Sequence, residues 1–161
     1  MYYVFFGDRK ALEKAKELAI LVVGLAGGNL TTDTRFQKIS FLVDQEVLGG
    51  EVKFEPMDFG PYSKELEKAV NELSKEGKLV RVDDSNGVTH YYLTKKGEEE
   101  FGRIKSYLGE EKLKRAESIV KKFRDAPLTY LLAYVYSKYQ EYTVNSKITE
   151  KVEEWRKRYG I

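Results

Sequence analysis

Residues 59–97 constrain the fold of this chain more than any other stretch. They open on Phe59-Gly60-Pro61-Tyr62-Ser63. Ser63 is placed to cap a helix whose apolar positions Leu66, Ala69, Val70 and Leu73 recur on one helical face. Glu76-Gly77 closes that helix, because glycine supplies the left-handed backbone of a helix end. Residues 79–82 and 88–93 then read as strands on either side of Asn86-Gly87, a dipeptide suited to a tight hairpin turn. Thr94 caps a further helix, with Glu98, Glu99 and Glu100 near its positive end. Helix, strand, turn and strand in this order predict the second half of a winged helix-turn-helix unit.

The rest of the chain extends that reading. Residues 1–6 are read as a short strand or an anchoring arm. Asp8 is read as the cap of a first helix running to about Ala26, with Leu12, Ala15, Leu18, Ala19, Val22 and Leu25 inward. Gly27-Gly28-Asn29 stops it. Thr32 or Asp33 caps a second helix with Phe36, Ile39, Leu42, Val43 and Val47 as its buried stripe, ended by Gly49-Gly50. Residues 52–59 predict one short strand. Helices follow over residues 95–107 and 110–124, another after Pro127 with the stripe Leu128, Leu131, Leu132 and Val135, and a basic one over residues 149–159. The fold class is therefore mainly α, in the α+β sense. Residues 1–108 form a winged-helix domain, and residues 109–161 a helical extension that begins at Gly109.

Composition removes several function classes. The 161 residues include no Cys, so there is no thiolate metal site, disulfide framework or Cys nucleophile. The only His is His90, on a strand, which leaves neither a His-rich metal site nor a hydrolase triad with a nucleophile elbow. No phosphate-binding loop is present. A non-enzymatic protein without cofactor or metal is expected. The apolar N-terminus is too short for a signal peptide and the longest later apolar run, residues 18–25, is too short for a membrane span. A cytoplasmic location with no membrane partner is expected. Charged residues make up 34% of the chain, yet the net charge is only +2. The many Lys and Glu with no Cys match thermophile composition.

Function is sought in the third helix. Lys64, Lys68, Asn71 and Lys75 fall at steps of three and four and share one face, which can meet bases and phosphates in a major groove. Arg35 and Lys38, three apart on the second helix, can touch the DNA backbone. Against this stand Glu65, Glu67, Glu72 and Glu76 on the same helix, and Asp83 and Asp84 at the hairpin tip. Double-stranded DNA is the first partner class. A protein partner is the alternative. In the tail, Tyr130, Tyr134, Tyr136, Tyr139 and Tyr142 broaden the apolar stripe, and a homodimer through the extension is expected to cover them.

Three segments together carry a resemblance: Arg35-Phe36-Gln37-Lys38-Ile39, Phe59-Gly60-Pro61-Tyr62-Ser63, and Tyr92-Leu93-Thr94-Lys95-Lys96-Gly97. They resemble the prokaryotic winged-helix proteins around the Panacea (SocA-like antitoxin) domain and related uncharacterised proteins. The later Leu131-Leu132-Ala133-Tyr134-Val135-Tyr136-Ser137-Lys138-Tyr139 with Asn145-Ser146-Lys147 is similar to the tail that some of them carry. The resemblance implies a helix-rich winged domain and either DNA binding or partner binding, without implying antitoxin activity for this chain. The expected function is a DNA-binding transcriptional regulator, with a non-catalytic protein-interaction module, antitoxin-like in its most concrete form, as the alternative.

Overall fold

The computed structural model describes residues 2–161, with side chains from Arg9 onward. The described residues are about 65% helical, in seven α-helices with small antiparallel sheets, which is an α+β architecture.

Helix α1 (Tyr2–Leu25) runs through the segment expected to be a strand or arm, and Asp8 lies inside it rather than at its start. Strand propensity in Tyr2, Tyr3, Val4, Phe5 and Phe6 is weak against continuation of a long helix. One internal glycine, Gly7, costs a helix only about 1 kcal/mol. Met1 lies outside the described residues. Gly27 and Gly28, both at positive φ, end the helix as expected.

Strand β1 (Asn29–Thr31) follows and leads into α2 (Asp33–Val43). Thr32 is the cap, its hydroxyl accepting the Arg35 amide at 3.1 Å. A π-helical turn, Asp44–Leu48, extends α2 to Gly49. The Asp44 carboxylate accepts the amides of Glu51 (3.0 Å) and Val52 (3.3 Å) and so fixes the exit from that turn.

The single strand expected over residues 52–59 is instead a tiny hairpin of β2 (Glu55–Met57) and β3 (Gly60–Tyr62). Gly60 makes the difference. Its φ of +92° belongs to a residue without a Cβ, and it reverses the chain after Asp58-Phe59. Helix α3 (Lys64–Lys75) then starts at Ser63, whose hydroxyl accepts the Leu66 amide at 3.0 Å.

Strands β4 (Leu79–Asp83) and β5 (Thr89–Leu93) form the expected hairpin, with Val80 opposite Tyr92 and Val82 opposite His90. β1 pairs with the other side of β5, giving the order β1-β5-β4. Thr94 caps α4 (Lys95–Leu108) through the Gly97 amide at 3.0 Å. A Cβ on Gly97 would lie 2.0 Å from the Lys78 carbonyl oxygen, so only glycine permits this approach of helix to hairpin. Helices α5 (Glu110–Arg124), α6 (Leu128–Lys138) and α7 (Thr149–Tyr159) complete the chain.

One continuous core joins these elements. Leu18 and Val22 of α1 meet Phe36, Ile39 and Leu42 of α2, Leu66, Val70 and Leu73 of α3, and Tyr91 of β5. Ala116, Val120, Phe123, Leu131 and Val135 from the chain beyond Gly109 belong to the same cluster. Leu66 has no solvent exposure. Leu66→Ala is expected to cost about 2–5 kcal/mol, as deletion of a fully buried leucine side chain does. Urea unfolding with an unchanged midpoint would remove Leu66 from the core.

Candidate nucleic-acid interface

The start of α3 is held from α2 by one side chain. Gln37, 1% exposed, accepts the Ser63 amide on its Oε1 at 2.9 Å and donates its Nε2 to the Ser63 carbonyl at 3.2 Å. Ser63 is itself the α3 cap. The direction of α3 is thus fixed by a reciprocal pair of buried hydrogen bonds and by Leu66, Ala69, Val70 and Leu73 beneath it.

The opposite face of α3 is open. Lys64, Lys68, Asn71 and Lys75 are all exposed, and none of the three lysines has an ion-pair partner among the described residues. Two of the acids on the same helix are engaged elsewhere. Glu76 takes the Lys16 ammonium at 2.7 Å and lies 3.5 Å from that of Lys78. Glu67 accepts the Tyr62 hydroxyl at 2.9 Å. Glu65 and Glu72 are half-buried.

Arg35 and Lys38 do not join this face. The Arg35 guanidinium donates to the carbonyls of Phe123 and Ala126, both at 2.7 Å, and so closes the end of α5 against α2. Lys38 is 2% exposed beneath the β2–β3 hairpin. Their spacing of three suggests a shared outer face. The hairpin and α5 cover it, and that cover comes from distant sequence. The neighbouring residues have inner roles too. The Phe36 ring stacks on Tyr91 with centroids 4.3 Å apart, and the Tyr91 hydroxyl donates to Asp33 at 2.6 Å.

At the hairpin tip the two acids largely serve the turn. The Asp84 carboxylate accepts the amides of Asn86 (2.8 Å) and Val88 (3.0 Å) and lies 2.8 Å from His90 Nε2. The His90 contact, then the Val88 and Asn86 amides, hold its pKa below the usual carboxylate range. Asp83 accepts the Thr89 hydroxyl at 2.7 Å. Arg81, which sequence reasoning passed over, is an exposed cation between the hairpin and α3. Its guanidinium carbon sits 6.0 Å from the Tyr91 ring centre and is near enough to Tyr62 and Tyr91 to favour ionisation of both phenols. The signal was present: Arg81 pairs with Tyr91, on the buried side of the sheet, where an arginine has to reach outward.

The tail tyrosines pack on the chain's own body. Tyr139 and Tyr142 meet the Phe41 ring edge-on, with centroids 4.9 and 4.8 Å away. Tyr130 and Tyr134 pack on Phe123. Tyr136 is buried and shares a 2.6 Å hydrogen bond with Ser146. Glu46, beyond α2, accepts the Tyr139 hydroxyl at 2.8 Å and lies 3.3 Å from the Lys138 ammonium. The aromatic breadth that suggested a second copy is thus taken up within one chain.

Comparison with family models and with curated proteins finds no match to this chain. Among the described residues, no three His, Asp or Glu side chains converge as metal ligands would, and no helix is long and apolar enough to cross a membrane.

Burial pushes the Lys38 ammonium down to about 8, and the nearby Asp33 carboxylate offsets part of the effect. The native value lies below that of the unfolded chain, so this group contributes stability as pH rises between about 8 and 10.5 and weakens the fold below that window. Lys38→Met is therefore expected to be more stable than wild type at pH 7, by roughly 1–3 kcal/mol. The advantage shrinks as pH approaches 10.5. Urea melts of the two proteins across that range check both sign and window.

Proposed function

We propose that residues 1–108 form a winged helix-turn-helix unit, with β4 and β5 as its wing, and that the protein binds double-stranded DNA as a non-catalytic transcriptional regulator. The observation that carries this reading is the outer face of α3. Lys64, Lys68 and Lys75 project from it without ion-pair partners among the described residues, and Asn71 lies between them. In a winged-helix mode α3 lies in the major groove. The lysines neutralise phosphates, and Asn71 is of the residue type that pairs with adenine edges. Arg81 adds a cation on the wing side of the same groove. The order of elements and the resemblance to Panacea-like winged-helix proteins support the assignment.

A protein-interaction module, antitoxin-like in its most concrete form, is the second reading. The outer face of the β1-β5-β4 sheet favours it. Val80, Val82 and Tyr92 are 40%, 45% and 45% exposed there and stand on neighbouring strands. That patch does not depend on α3.

Duplex titration separates the two. Unmodified protein is expected to bind mixed-sequence duplex at low salt, with affinity falling steeply as salt rises. Lys64→Ala with Lys68→Ala is expected to weaken binding and reduce the salt slope by about 2, one phosphate contact per lysine. No duplex affinity at low salt, or an unaltered slope in the double variant, would reject the DNA reading and favour the sheet face.

A further inference from the structure

The β2–β3 hairpin and α2 form an open cleft of about 170 Å³, lined by Lys38, Met57, Asp58, Phe59 and Tyr62. An engineered apolar cavity of about 150 Å³ holds benzene, so this volume suits one aromatic ring. Phe59, at the hairpin turn, lines this cleft and is 51% exposed.

Lys38 sets the chemistry. Its side chain is 2% exposed, lines the cleft, and has no hydrogen-bond or ion-pair partner among the described residues. Buried charges are almost always paired. The nearby acids are occupied. Asp33 receives the Tyr91 hydroxyl at 2.6 Å, and Asp58 at the rim lies 3.3 Å from the Lys147 ammonium. The Tyr62 hydroxyl is directed to Glu67. The cleft therefore combines one unpaired cation with an apolar wall of Met57, Phe59 and Tyr62.

We propose that this cleft binds a small organic acid, with the carboxylate on Lys38 Nζ and a body the size of one ring against Met57, Phe59 and Tyr62. An inorganic anion would pair with Lys38 but leave the apolar wall wet. A neutral ring would cover the wall but leave the ammonium unpaired. Only a ligand with both parts satisfies both surfaces, the usual pattern of a small-molecule site. The site is separate from the outer face of α3 and does not require that the protein bind DNA.

Asp33 on α2 is the charged group acting on Lys38, Asp58 and Tyr62 on the hairpin share its cleft, and Glu67 on α3 and Arg81 on β4 act on Tyr62. Burial, then the bond to Glu67, keeps Tyr62 protonated well above the ordinary phenol range. Lys38 is the group whose charge changes just above neutrality.

The test is a titration of the full chain with benzoate, followed by amide NMR shifts, with benzyl alcohol as the uncharged counterpart. Saturable shifts centred on Lys38 and residues 57–62 are expected. Benzoate should bind at least about tenfold more tightly than benzyl alcohol and lose about tenfold or more in Lys38→Met. Its affinity for the unmodified chain should also fall as pH rises from 7 to about 9.5, as the ammonium is lost. The pH series needs no variant and stands if Lys38→Met misfolds. Absence of saturation at millimolar benzoate, equal affinity for benzyl alcohol, or affinity independent of pH would each overturn the proposal.

Discussion

Both ends of the Gln37 amide are committed to a single residue, Ser63, and the arrangement of α3 depends on that pair of bonds. Ser63 stands between the end of β3 and the first turn of α3. Its amide and carbonyl are buried, and an unpaired buried backbone group costs about 1–3 kcal/mol. From a neighbouring helix Gln37 accepts the Ser63 amide and adds a second donor to the Ser63 carbonyl, which already takes the Glu67 amide at 3.2 Å, and the Ser63 hydroxyl accepts the Leu66 amide. The side chain that satisfies the backbone is also the one that aims the exposed lysine face. Stability and orientation are thus set by the same few atoms.

Local signals were legible in the sequence where the physics is local. Ser63, Thr32 and Thr94 cap helices because a hydroxyl three residues before an unpaired amide can reach it. Asn86-Gly87 turns the hairpin for reasons contained in two residues. The apolar stripe of α3 maps onto its buried face residue for residue. β1 was not legible. Three residues carry no periodicity, and the strand exists only because β5 lies beside it. The same limit explains Lys38 and Arg35. Whether a charge at such a position meets solvent is decided by the hairpin and by α5, which lie distant in sequence. The tail tyrosines were read as surplus apolar area because Phe41, which receives Tyr139 and Tyr142, is far away along the chain, and the turn that folds α6 back on Phe123 of α5 sets which tyrosines that ring receives.

The helices after Gly109 carry a structural load. Val120 and Phe123 are buried against the body formed by the first three helices, and Arg35 ties the α5 end to α2 through two carbonyls. The extension is also bound to the β2–β3 hairpin by the Lys147 amide on the Asp58 carbonyl at 2.7 Å and by Asn145 on the Pro56 carbonyl at 3.1 Å. The hairpin therefore has two supports, α2 below and the α6–α7 connection beside it. The Lys38 cleft and the tail meet at this short element.

Gly60 has a bearing on inheritance. A Cβ at that position would come 2.9 Å from the Tyr136 ring, and the backbone there already demands glycine's freedom. Positions 60 and 136 form a steric lock between two elements far apart in the chain. A smaller residue at 136 would relieve only the clash, because a side chain at 60 meets backbone strain whatever the space, so position 60 is closed to change on two independent grounds.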